Sequence, residues 1–108
     1  MNAFNIMKGI KFLKDEGFVE IDGYGKNKAR FELMNYRHMN GDDGKMHRVY
    51  ESLFVDINKR EKQLVVGYVK DFSKTYAKTI IRKFGIKMHD PRIETEENYI
   101  YYNFLKTK

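Results

Sequence analysis

Lys74, Lys78 and Arg82 recur at intervals of four residues, and Lys83 and Lys87 follow close behind. A four-residue spacing places side chains along one edge of a helix. Such an edge neutralises phosphates, releasing condensed counterions and making affinity steeply dependent on salt. The stretch 73–91 holds five basic residues against the one acid Asp90, so it supplies +4 of the chain's formal net charge of +6. Ser73 and Thr75 stand at the start of the same segment, where free backbone N–H groups and the helix dipole also favour an anion. Lys74, Lys78, Arg82, Lys83 and Lys87 are therefore the candidate contacts to nucleic acid or to an acidic partner.

A second group is aromatic. In the candidate strand 99–105, alternation sets Tyr99, Tyr101 and Leu105 on one side and Ile100, Tyr102 and Phe104 on the other. One side must be core. The other side, with Tyr99 and Tyr101, has the chemistry to stack unpaired bases, worth about 1–3 kcal/mol each, or to pack under a helix or a partner protein, which suits tyrosine better. Glu94, Glu96 and Glu97 form the one clustered acidic segment, read as a polar strand edge or turn.

Catalytic and metal chemistry find little support. His38, His47 and His89 show no i, i+4 pairing, and the chain has no cysteine, so no zinc set is recognisable. Asp42-Asp43 lacks the length and terminal glutamate of a calcium loop. His47 beside these aspartates sits on a glycine loop, a poor scaffold for a general base. No phosphate-cradling glycine loop or nucleophile elbow occurs. The expectation is a non-enzymatic protein with no cofactor.

These groups need elements to hold them. Phe4, Met7, Ile10 and Leu13 give helical spacing over 3–16, with Gly17 as the stop. Residues 18–22 read as a short strand and 23–27 as a glycine turn. Residues 28–38, 46–58 and 64–69 read as strands, the first two long, with a loop at 40–44. Residues 73–85 read as a helix, N-capped by Ser73 and ended by Gly85, with Tyr76, Ala77, Ile80, Ile81 and Phe84 as its apolar stripe. The order α-β-β-β-β-α-β predicts one small α+β domain over 1–108, with an antiparallel sheet of four to five strands and both helices on one face.

Composition sets the class. With 108 residues, 42% hydrophobic and 33% charged, the chain is of globular make-up and long enough to bury one core. The lack of cysteine and of a long apolar run fits a cytoplasmic protein that touches no membrane. Lys, Asn, Ile, Tyr and Phe make up 48 of the 108 residues. All five are encoded by A/T-rich codons, which points to a low-GC bacterium or its phage.

Ser73-Lys74, Ala77 and Lys78 resemble the start of the last helix of double-stranded-RNA-binding domains, and Gly44 to His47 is similar to that family's glycine-histidine loop. The resemblance covers about residues 3–87 and implies lysines gripping phosphates across a groove. Thr79-Ile80-Ile81 replaces the alanine-rich continuation, and a strand follows the helix where that domain ends. The leading expectation is a small regulatory protein acting on nucleic acid or a nucleoprotein through the basic helix. The alternative is a phage-type protein inhibitor of host machinery, such as an anti-CRISPR protein, binding a host protein.

Overall fold

The computed structural model describes residues 4–23, 25–33, 37–40, 44–49, 53–68 and 71–104, with the side chains of 37–40, 47–49 and 71–73 left out of the description. Met34, Tyr36, Asp42, Asp43, Tyr50, Val69 and Leu105, each given a place above, lie outside the described residues.

The first helix, α1 (Ile6–Asp15), is capped by Asn5, whose side-chain oxygen accepts the Lys8 N–H at 3.0 Å. It ends where expected. Gly17 takes φ 97°, the Gly17 N–H donates to the Lys14 carbonyl at 3.1 Å, and the Phe18 N–H donates to the Leu13 carbonyl at 2.9 Å. This pair of bonds is a Schellman cap, and buried Phe18 and Leu13 seal it. The second helix, α2 (Asp71–Lys83), ends in the same way: Gly85 takes φ 85°, its N–H donates to the Arg82 carbonyl, and the Ile86 N–H donates to the Ile81 carbonyl. Its start differs from the sequence reading. Ser73 is not the N-cap, because helical backbone begins two residues earlier at Asp71.

Among the described residues eight strands form, six of them in the antiparallel sheet where four to five were expected: β1 (Val19–Ile21), β2 (Lys28–Leu33), β3 (Arg37–Asn40), β4 (Met46–Val49), β5 (Leu53–Asn58), β6 (Gln63–Gly67), β7 (Ile93–Glu96) and β8 (Tyr99–Asn103). Six of them make one antiparallel sheet in the order β1-β2-β5-β6-β8-β7. The expected strands 28–38 and 46–58 are each divided, and among the described residues their inner parts β3 and β4 pair only with each other, as a separate hairpin lying beside α2. β7 is an addition on the sheet edge, and the acidic segment read as a strand edge or turn supplies it.

Period-two alternation assigns the faces. Phe31, Leu33, Leu53, Val55, Ile57, Leu64, Val66, Ile100 and Tyr102 point to one side and are buried. On that side Leu13 of α1 and Tyr76, Ala77, Ile80, Ile81 and Phe84 of α2 join them in a single hydrophobic cluster, so both helices cover the same face. The helices run antiparallel: the Asn5 N–H donates to the Phe84 carbonyl at 2.8 Å near one end, and the Tyr76 hydroxyl donates to Glu16 Oε1 at 2.9 Å near the other. Between these points the absent side chain of Gly9 admits the Phe84 ring; a Cβ there would lie 2.3 Å from it.

Candidate functional site

Two surfaces carry the candidate residues, and they lie on opposite sides of the sheet. The first is the outer side of the helix pair. On α2 the buried stripe fixes the orientation, leaving Lys74 and Lys78 half-buried along its border and Arg82 and Lys83 exposed, with Lys87 exposed just beyond the cap. At 100° per residue, Lys74, Lys78 and Arg82 follow one edge, whereas Lys83 projects from the opposite flank. The Lys83 ammonium lies 5.5 Å from the centre of the Phe12 ring on α1, a cation–π contact at the helix–helix seam. The structure thus divides the four basic residues of α2 between two flanks of the helix, with Lys87 beyond its end.

The antiparallel packing adds residues that the sequence reading passed over. Lys8, Lys11 and Lys14 of α1 are all exposed, on the layer that also presents the α2 cations. Their helical spacing was a visible signal, but only the shared sheet face turns two stripes into one surface. The described carboxylates of this layer are occupied: Asp15 pairs with Lys11 at 2.8 Å, and Glu16 accepts the Tyr76 hydroxyl. Asp15 also holds the Lys11 ammonium above its ordinary pKa, by hydrogen bond and by charge.

The second surface is the sheet's other face, across which no described helix lies. Register builds it row by row. Glu32, Phe54, Gly67, Tyr99 and Glu96 stand side by side across five strands, and the adjacent row is Arg30, Asp56, Val65, Tyr101 and Glu94. Gly67 is required at the centre of the first row: the Phe54 ring lies over it, and a Cβ would come within 2.1 Å of that ring. The Phe54 and Tyr99 ring centres are 6.1 Å apart and those of Tyr99 and Tyr101 6.0 Å, so the aromatics form a continuous track.

At the β2–β5 end of the track the Arg30 guanidinium sits 4.1 Å above the centre of Phe54. It donates from Nε to Glu32 Oε2 at 2.8 Å and from Nη1 to Asp56 Oδ2 at 3.3 Å. Lys28 approaches the same Asp56 oxygen at 3.8 Å. Burial nevertheless pushes the Asp56 carboxyl above its ordinary range, outweighing the two cations that pull it down. At the β8–β7 end, the Tyr101 hydroxyl donates to Glu96 Oε1 at 3.1 Å, and Asn103 donates from Nδ2 to Glu94 Oε2 at 2.7 Å and accepts from Gln63 Nε2 at 2.9 Å. Burial, then the Glu96 contact, raises the Tyr101 phenol above its ordinary pKa. A depression of about 420 Å³ opens there, lined by Gln63, Glu94, Thr95, Glu96 and Tyr101.

Tyr99 and Tyr101 thus lie on the face away from the helices, as their alternation predicts, and Tyr102 on the core face. Sequence reasoning missed Phe54, Arg30, Glu32 and Asp56 as their neighbours. His89 is exposed, and among the described residues no three of His, Cys, Asp and Glu converge as a metal site. No described helix is long and apolar enough to cross a membrane.

The likeness to double-stranded-RNA-binding domains does not extend to the architecture, since β7 and β8 follow α2 and β8 is built into the sheet beside β6. Set against protein-family models, curated proteins and solved structures, the chain matches none.

Proposed function

We propose that this chain is a small non-enzymatic regulatory protein that binds nucleic acid, free or within a nucleoprotein, through the outer side of its helix pair, in the cytoplasm of a bacterial or phage-infected cell. One observation carries the reading: cations from two helices share one layer whose described carboxylates, Asp15 and Glu16, already have partners. Phosphates are the anions that a broad, solvated lysine and arginine surface serves best, because each neutralised phosphate releases counterions. The mechanism is occupancy.

Mobility-shift titrations with duplex and single-stranded DNA and RNA at low salt test it. Binding is expected, with the logarithm of the affinity falling linearly in log[salt] at a slope of about −0.9 per duplex phosphate contacted. Absence of binding to all four polymers at low salt overturns the reading.

The alternative, a phage-type inhibitor of host machinery such as an anti-CRISPR protein, draws support from the second surface, where the track Phe54, Tyr99, Tyr101 has the make-up of a protein contact. It predicts a specific host protein recovered from nuclease-treated lysate by the native chain and not by Tyr99→Ala, Tyr101→Ala.

A further inference from the structure

The helix layer also selects among polymers. Its cations stand in rows on two antiparallel helices, and among the described residues no ion pair engages Lys8, Lys14, Lys74, Lys78 or Lys87. Its rings are turned inward: Tyr76 and Phe84 are fully buried, and Phe12 packs in the seam 6.3 Å from the Tyr76 ring centre, under the Lys83 ammonium. Two of its short polar side chains are bonded to their own helices. Asn5 accepts the Lys8 N–H at 3.0 Å, and the Thr79 hydroxyl donates to the Thr75 carbonyl at 3.3 Å. The layer thus turns positive charge on long side chains to solvent, with Met7 as its one exposed large apolar residue among those described.

We propose that this layer docks on double-helical DNA and holds it by its phosphates, without reading its bases; the proposal rests on the nucleic-acid reading above and names its polymer. Single strands are held by bases stacked on exposed rings along a basic groove. Tyr99, the exposed ring among the described residues, lies across the sheet beside Glu96, a carboxylate that repels phosphate. A duplex hides its base faces and offers one phosphate charge per about 1.7 Å of its axis. Lys74 to Arg82 covers about 12 Å along α2 and Lys8 to Lys14 about 9 Å along α1, so the two rows face several phosphates at once. Duplex RNA is told from DNA by contacts to its 2′-hydroxyl groups. Asn5 and Thr79, whose side chains have the chemistry for such contacts, are turned to their own backbone.

Fluorescence anisotropy with the full chain tests the proposal, using labelled DNA duplex, RNA duplex and both single strands of one length and mixed sequence, from about 0.05 M salt upward. The DNA duplex is expected to bind at least about threefold more tightly than either single strand and no more weakly than the RNA duplex, with a salt slope of about −3 to −5. Two DNA duplexes of different sequence should bind within about threefold of each other. Lys8→Glu with Lys14→Glu should flatten the slope, as Lys78→Glu with Arg82→Glu does, while Tyr99→Ala leaves duplex binding unchanged. A single strand bound within about threefold of the duplex, an RNA duplex bound more tightly than DNA, discrimination between the two DNA sequences beyond about threefold, or an unchanged slope in the α1 variant overturns the proposal and leaves the nucleic-acid reading standing. No binding by any of the four polymers overturns both.

Discussion

The helix layer and the open sheet face both carry many charges, and they use them in opposite ways. On the helices, cations recur along the chain at helical intervals, and among the described residues no ion pair joins Lys74, Lys78 or Lys87 to a carboxylate. On the sheet, opposite charges meet across strands, Arg30 with Glu32 and Asp56, and Lys28 with Asp56. The positive field therefore leaves the molecule on one side and is largely cancelled on the other. The two faces contrast in packing as well: the helices meet through Gly9 and a fully buried ring, whereas Gly67 makes room for Phe54, which is only half-buried. Net charge says little about a partner until it is known which charges are already spent locally.

The largest expected effect tests the packing contrast. Gly9→Val should destabilise the fold by about 3 kcal/mol, because the new Cβ meets a Phe84 ring with nowhere to move and a β-branched residue adds its own helix cost. Urea denaturation checks it, and a cost below about 1 kcal/mol would show that the helix seam yields. Next comes the field: Lys78→Glu with Arg82→Glu should reduce nucleic-acid affinity about tenfold to a hundredfold, or about 1.4–2.7 kcal/mol, and flatten the salt slope, as mobility shifts across a salt series will read. An unchanged slope would place the contacts on another surface.

Smaller still, Gly67→Ala should cost about 1 kcal/mol, since Phe54 can swing toward solvent; loss of the Phe54–Tyr99 contact in aromatic NMR spectra would accompany it. A cost equal to that of Gly9→Val would erase the distinction between the faces. The smallest effect concerns Asp56. Its folded carboxyl holds a proton more tightly than the unfolded one, so the unfolded state ionises first and stability is lost as pH rises from the ordinary carboxylate range, near pH 4, through the raised folded value. Asp56→Asn removes that loss, so Tm measured from about pH 3 to about pH 7 should fall less in the variant than in the native chain.

The helix ends were legible because a chain reversal needs a left-handed residue, and Gly17 and Gly85 stand just past each apolar stripe. The start of α2 was not, since Ser73 is a good cap by residue type and nothing in the local pattern marks a helix begun two residues earlier at Asp71. Alternation through 28–38 and 46–58 gave the strands but not their division, because β3 and β4 leave the sheet as a hairpin and period two does not record that departure. β7 was legible only as a polar strand edge or turn and not as a paired strand, since of Ile93, Glu94, Thr95 and Glu96 only Ile93 packs against the core. The basic edge of α2 and the outward Tyr99 and Tyr101 follow from spacing alone. Lys83 at the seam and the company of Phe54, Arg30 and Asp56 depend on which strands and helices become neighbours, a property of topology that no local spacing contains.

The order β1-β2-β5-β6-β8-β7 also has a history written into it. Strands β1, β2, β5 and β6 are all synthesised by residue 67, but the strand that covers the far edge of β6 begins at Tyr99, beyond the whole of α2. Until β8 arrives, the apolar run Leu64, Val65, Val66 is a sheet edge with unpaired N–H and C=O groups, a template for pairing with another chain. A nascent chain stalled before β8 is thus more prone to aggregate than a finished one.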